Sequence, residues 1–446
     1  MDDSRQKNIP EKFLNLFTEV KTGEGMNALL LALNIFLILT SYYIIKPVRE
    51  ALILQGGGAE LKSYMSAGQA ILLLGAVPFY AFLAAKFPRR KLINTVTLFF
   101  IGCLVVFYLL AQVKVPLGII FYLWVGVFNL MVPAQFWAFA NDLYSPEAGK
   151  RLFVIVAFGA SLGAVLGAKI ASFLIAPLGV YQLMIVASVL LLVSLILTNY
   201  IDVKSKNKPE NTESPVPQHE EVIKKGSAFK LVFQSKYLLL IALLMLVLNW
   251  VNTTGEYILS RTIASAASDA IQNGTSGGLT EGEFIGKFYA DFFFVVNILG
   301  VVMQLFIVSR ILKYFGVRIA ILALPLLALG GYFVISFFPI LSIVRWVKTA
   351  ENATDYSLQN TVRHVLFLPT TREQKYKAKQ AIDTFFVRAG DVLSALLVYV
   401  GTSFLSFGTK QFALFNIALV LVWIVLAVLI GLENRSMISH FEEEKV

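Results

Sequence analysis

The sequence predicts an all-α integral membrane protein of about twelve transmembrane helices in two six-helix halves. Three observations lead there. Of the 446 residues, 57% are hydrophobic and only 15% are charged, whereas a soluble domain carries about 25% charged residues and few apolar runs of membrane length. Apolar runs of roughly the 20 residues needed to cross a bilayer recur along the chain. Positive charge gathers in every second connection between those runs, which is the pattern that orients membrane helices.

Taken in order, the runs lie near 26–50, 63–86, 92–112, 117–141, 153–176, 180–200, 236–260, 284–309, 314–337, 340–362, 378–406 and 411–432. Lys86, Arg89, Arg90 and Lys91 follow the second run, and Lys150 and Arg151 follow the fourth. Arg310, Lys313 and Arg318 follow the eighth, and Arg372, Lys375, Lys377 and Lys379 follow the tenth. The alternate connections hold little beyond Lys114, Lys287 and Lys410, so both termini are expected on the cytoplasmic side. Residues 1–25 read as an amphipathic cytoplasmic segment with no cleaved leader, because the run after them is too long for a signal-peptide core. The stretch 201–235, rich in Pro and charge, reads as a flexible cytoplasmic linker between a 26–200 half and a 236–432 half. Residues 433–446 read as a cytoplasmic tail.

Several function classes fall away. A net charge of +10 would suggest nucleic acid in a soluble protein, but here the cations sit in loops, where they orient helices and face anionic lipid. Cys103 is the single cysteine, so an internal disulfide and a cysteine metal site are excluded. His219, His364 and His440 are too scattered for a metal or catalytic cluster. There is no phosphate-binding glycine loop and no nucleophile with a base at a fixed spacing. No enzyme activity, metal or cofactor is expected.

The chemistry lies in charges within the spans. Such residues are costly in lipid and normally face a water-filled path or one another. In 342–391, Arg345, Lys348, Asn352, Asp355 and Gln359 recur at three- and four-residue steps and share one helix face. Arg363 follows them, and after the basic turn Asp383, Arg388 and Asp391 open the next helix. Lys46, Arg49 and Glu50 cluster in KPVRE at the end of the first run. Interfacial snorkelling would explain that cluster equally well by position, but Pro47 interrupts the helix there and the three share a face. Glu256 follows the polar tract Asn249, Asn252, Thr253 and Thr254, which is too dense for simple packing. Asn129, Pro133 and Asn141 mark the fourth run; its aromatics, Trp137 among them, read as packing and interface anchors. Asp291 and Asn297 rank lower. Gly159, Gly163 and Gly167 form GASLGAVLG, a small-residue stripe for close helix packing and without a substrate role. Lys46, Arg49, Lys348, Arg363 and Arg388 outnumber Glu256 and Asp355 as partners, which favours an anionic substrate.

The two halves show weak internal correspondence: KPVREALIL ends the first span with Glu50, and NTTGEYILS ends the seventh with Glu256. That layout resembles a major-facilitator transporter, whose substrate site lies near the bilayer midplane where the halves meet. DYSLQNTVRHVLFLPTTREQKYKAKQAID, 355–383, resembles the signature segment of the nucleotide transporter family, the ATP:ADP antiporters of plastids and obligate intracellular bacteria. The matching places are Tyr356, Ser357, Leu358, Pro369, Lys375, Lys377, Lys379, Ala381, Ile382 and Asp383. FWAFANDLYSPEAGKRLF and YYIIKPVREALIL resemble that family's fourth- and first-span exits. The resemblance implies substrate cations at Arg49 and Arg363, where the family has lysines, and a substrate-side acid near Glu256. The family's Phe-Asp-Pro group is replaced by Gln359, Asn360 and Thr361, and its early acid in the fourth span is missing, with Val125 or Asn129 near its place.

The expected function is secondary transport of a nucleotide or related phosphorylated anion across a bacterial inner membrane. The protein would act as a monomer whose only other partner is lipid. Proton-coupled transport of a non-nucleotide solute and a non-transporting membrane receptor or scaffold are the alternatives. The expected site residues are Lys46, Arg49, Asn129, Glu256, Lys348, Asp355, Arg363, Asp383 and Arg388.

Overall fold

A computed structural model describes residues 18–21, 24–206, 228–371 and 373–443. Most of the expected N-terminal segment and linker, with His219 and Arg372, lies outside the described residues. Among those described, the secondary structure is helical. The helices are α1 (Gly25–Lys86), α2 (Arg89–Gln112), α3 (Gly118–Leu143), α4 (Pro146–Leu178) and α5 (Gln182–Lys206). They continue with α6 (Ala228–Gln234), α7 (Lys236–Gln272), α8 (Glu281–Val302) and α9 (Val308–Phe337). The last are α10 (Leu341–Thr354), α11 (Asn360–Leu366), the short α12 (Lys379–Ala381), α13 (Val387–Ser403) and α14 (Thr409–Glu443). Single π-helical turns join several of them, at Met303–Ile307, Asp355–Gln359, Gln374–Ala378 and Ile382–Phe386.

Eight helical stretches among the described residues are long and apolar enough to cross a membrane. Two of these are pairs of spans. α1 breaks at Gly57–Gly58, where Gly58 has φ 72°, a left-handed conformation that costs a residue with a Cβ about 1–2 kcal/mol. The stretch through α8 and α9 breaks in the same way at Gly316, φ 69°. Two further helical runs, 341–366 and 374–403, carry the charges and π turns and complete the set of about twelve.

Helix ends follow local chemistry. Ser145 caps α4 by accepting from the Ala148 amide, with Pro146 as the first helical residue. Ser235 accepts from the Leu238 amide and starts α7. α7 runs on to Gln272, well past the apolar run that ends near 260. Its extension RTIASAASDAIQ contains several alanines, the strongest helix formers, and buries Ile263 and Ala267.

The chain divides into two compact units. One comprises 1–56, 72–219 and 279–294; the other comprises 57–71, 220–278 and 295–446. In the first, the leading part of α1 packs against α4 along the glycine stripe. A Cβ at Gly163 would lie 2.5 Å from the Phe36 carbonyl oxygen, and one at Gly167 would lie 2.7 Å from that of Thr40. The stripe is therefore a close backbone approach, as its spacing predicts. Elsewhere in this unit Trp124 stacks on Phe121 and Phe128 while Phe100 meets Trp124 and Phe128 edge-on, and Arg89 reaches Asp202 at 2.7 Å and Asp142 at 3.2 Å. In the second unit α7 is central, flanked by α10, α13 and α14.

Candidate functional site

In the second unit, α7 and α10 meet through a buried ionic cluster. Lys348 on α10 is fully buried. Its Nζ lies 3.1 Å from Glu351 Oε2 and 3.6 Å from Glu256 Oε1 on α7, and it donates to Asn252 Oδ1 at 2.8 Å. Tyr332 of α9 donates to Glu351 Oε2 at 3.0 Å, and Asn352 donates to Glu256 Oε1 at 2.9 Å. Asn416 of α14 donates to the Val251 carbonyl at 3.1 Å. Removing an ammonium from water is expensive, and only this number of close acceptors makes its burial tolerable.

A second buried group is Asp391 on α13. Its Oδ1 accepts from Thr253 at 2.7 Å and from Asn249 at 2.8 Å, and Arg388 donates to Oδ2 at 3.2 Å. Asn249 also donates to the Val387 carbonyl at 2.7 Å. Within the polar tract of the seventh span, Asn249 and Thr253 thus serve the Asp391 carboxylate, Asn252 serves Lys348, and Thr254 shares a hydrogen bond with Ser394 at 2.9 Å.

Beside these clusters lies a cavity of about 390 Å³, with Asn249, Asn252, Asp355, Tyr356, Gln359, Asn360 and Arg363 in its wall along with Met245, Leu248 and Val387. Its size falls within the roughly 300–1,000 Å³ of small-molecule sites. The π turn Asp355–Gln359 shapes one wall; such turns insert an extra residue and recur at functional sites. Gln359 is buried, and neither of its amide atoms has a hydrogen-bond partner among the described residues. Arg363 Nε lies 3.7 Å from Asp383 Oδ1, beyond hydrogen-bond reach, and both atoms are buried without a hydrogen bond. Lys348 and Arg388 do hydrogen-bond to described residues. Arg363 is therefore the cation in the cavity wall with donors to spare.

In the first unit, Lys46 and Arg49 are close together on α1. Lys46 sits in an aromatic cage, 3.8 Å from the Phe293 ring centre and 5.2 Å from that of Tyr43. The Arg49 guanidinium is held by Glu50, with Nε donating at 3.0 Å, and lies 4.8 Å over the Tyr122 ring. Asp291 accepts from Ser172 at 2.6 Å. Asn129 is exposed on α3 and makes no hydrogen bond to a described residue.

Glu256, Lys348, Asp355, Arg363, Asp383 and Arg388 therefore come together within one unit, and Lys46 and Arg49 within the other. The surplus of cations expected from the sequence is corrected. Lys348 faces Glu351, Arg363 faces Asp383, Arg388 faces Asp391 and Arg49 faces Glu50. The residue types alone set only Glu256 and Asp355 against the cations. Glu351, three residues after Lys348 and four before Asp355, shares their helix face, so its pairing with Lys348 is legible from spacing. Tyr332 and Asn416 carry no such signal, since each is brought in by folding alone.

Residues 31–350 match the sequence profile of the Major Facilitator Superfamily. The chain is 22% identical over 347 residues to ADP,ATP carrier protein 1 of Chlamydia muridarum (strain MoPn / Nigg), covering 67% of this chain and 61% of that protein. It is 23% identical over 347 residues to ADP,ATP carrier protein 1 of Chlamydia pneumoniae, covering 67% of this chain and 64% of that one. The chain thus spans about three-fifths of the length of the curated relatives it matches. Among solved structures, a nucleoside transporter, NupG, aligns with TM-score 0.61 at 11% identity, covering 92% of this chain and 99% of that chain. A POT family transporter in complex with 5-aminolevulinic acid aligns with TM-score 0.63 at 14% identity, covering 92% and 96%. At these identities the likeness is one of fold.

Proposed function

Since this chain belongs to the major facilitator superfamily, we propose that it carries a nucleotide or a related phosphorylated organic anion across a bacterial inner membrane by alternating access. The observation that carries this reading is Arg363. It stands in the wall of a ligand-sized cavity and donates no hydrogen bond to a described residue. A guanidinium offers a planar fork of donors that matches phosphate oxygens. Around it, Gln359 and Asn360 offer amide donors and acceptors to the rest of a polar ligand, Asn252 offers its NH2 group and Asn249 its amide oxygen. The matches to ADP,ATP carriers support the same substrate class. Both termini lie on the cytoplasmic side in this reading, because the basic connections alternate.

The test is a thermal-shift screen of the purified full chain against nucleotides, NAD and simple phosphorylated or carboxylated solutes. A ligand that binds only the folded state adds about 2.7 kcal/mol at a hundredfold excess over its dissociation constant. Nucleotides are expected to raise the melting temperature, and Arg363→Ala is expected to lose that rise while keeping its own unliganded melting temperature. A normal rise in Arg363→Ala removes the phosphate from this position.

A second reading, proton-coupled uptake of a non-nucleotide solute, is favoured by Asp355, a carboxylate standing in the same wall as Arg363. Proteoliposome uptake that follows an imposed pH gradient and is indifferent to ATP as competitor selects it.

A further inference from the structure

The charges around Arg363 limit which anions the cavity accepts. Among the described residues, its wall contains one cation, Arg363, and one carboxylate, Asp355. A second carboxylate, Asp383 of the π turn Ile382–Phe386, sits 3.7 Å from the guanidinium at its Nε edge. Lys379, one turn earlier, is directed to His364 Nδ1 at 3.0 Å and is not in the wall. Lys348 and Arg388, the next cations in this unit, are bound to Glu351 and Asp391.

We propose that Asp383 is a built-in counter-ion to Arg363 that sets the charge selectivity of the cavity, so that the ligand it takes is an anion of low charge, a phosphomonoester rather than a polyphosphate. This rests on the reading of Arg363 as the phosphate site. The pair is poised for exchange. Its two facing atoms are too far apart to hydrogen-bond, so an anion that takes the guanidinium breaks no direct bond. The carboxylate nevertheless stays within a few ångströms of whatever binds there. In a partly buried site, each further negative charge on the ligand meets the fields of Asp383 and Asp355, and among the described residues the wall holds no second cation to offset them. A single phosphate finds one fork and two neighbouring carboxylates. A triphosphate brings extra charges to the same single fork.

The experiment measures equilibrium binding to the full chain in detergent without divalent cations, in two series: AMP, ADP and ATP, and inorganic phosphate, pyrophosphate and tripolyphosphate. The wild type is expected to lose about tenfold in affinity for each added phosphoryl group. Asp383→Asn is expected to flatten both series and to raise ATP affinity by about tenfold or more, and Asp383→Glu to keep the wild-type order. ATP binding as tightly as AMP in the wild type overturns the charge limit and leaves the nucleotide reading standing. Binding of no nucleotide, with the inorganic series still ordered and flattened by Asp383→Asn, overturns the nucleotide reading and keeps the charge limit. An unordered inorganic series overturns it. Should Asp383→Asn fail to fold, the wild-type order alone decides.

Discussion

Lys348 shows what a charge inside a membrane protein demands of its neighbours. It has no exposed surface and is matched by Glu351, Glu256 and Asn252. Lys348→Ala would leave two carboxylates facing each other without their cation, an expected loss of about 3–5 kcal/mol. A drop in melting temperature of the purified protein, without added ligand, reports it. Arg49 is bound in the same way by Glu50, which is itself buried, so its removal bears on folding as well as on any ligand.

At the scale of the helix, the spacing of small residues is legible in the sequence itself, and the positions of the polar ones only partly. Gly163 and Gly167 recur at four-residue steps, and contact between the backbones of α1 and α4 follows from that. A Cβ at Gly163 has to push α1 away, whereas one at Gly102 on α2 meets nothing within 4 Å. Gly163→Ala is expected to cost about 1–3 kcal/mol, and Gly102→Ala to gain about 0.5–1 kcal/mol through helix propensity. Paired melting curves of the two variants separate packing from propensity. The face Lys348, Asn352, Asp355, Gln359 is legible because a helix of 3.6 residues per turn fixes it. Its extension to Arg363 crosses the π turn at Asp355–Gln359, whose extra residue the sequence does not announce. Gly58 falls in the connection between the first two runs, where the sequence already breaks the helix, whereas Gly316 lies inside the run 314–337 and its left-handed backbone is not legible there.

At the scale of the whole chain, the alternation of apolar runs and basic connections is enough to give an all-helical membrane fold of about twelve spans. What it does not give is pairing, because Tyr332 with Glu351, Asn352 with Glu256 and Asn249 with Asp391 join different helices. The site is therefore visible as a set of residue types and invisible as a set of bonds. The charged hairpin 341–403 has a consequence for how the protein is made. Neither of its two runs is among the eight helical stretches that are both long and apolar enough to cross a membrane, and each charged residue at a helix centre costs about 2.5–3.5 kcal/mol on insertion. The hairpin therefore has no stable resting place in lipid until α7 and α9 are there to receive it, since these carry Glu256, Asn252 and Tyr332. During synthesis it is a client of helices already inserted. A glycosylation-tagged fusion of residues 338–408 alone is expected to insert poorly and the same tag in the full chain to insert well; equal insertion of the two would mean that lipid accepts these charges unaided.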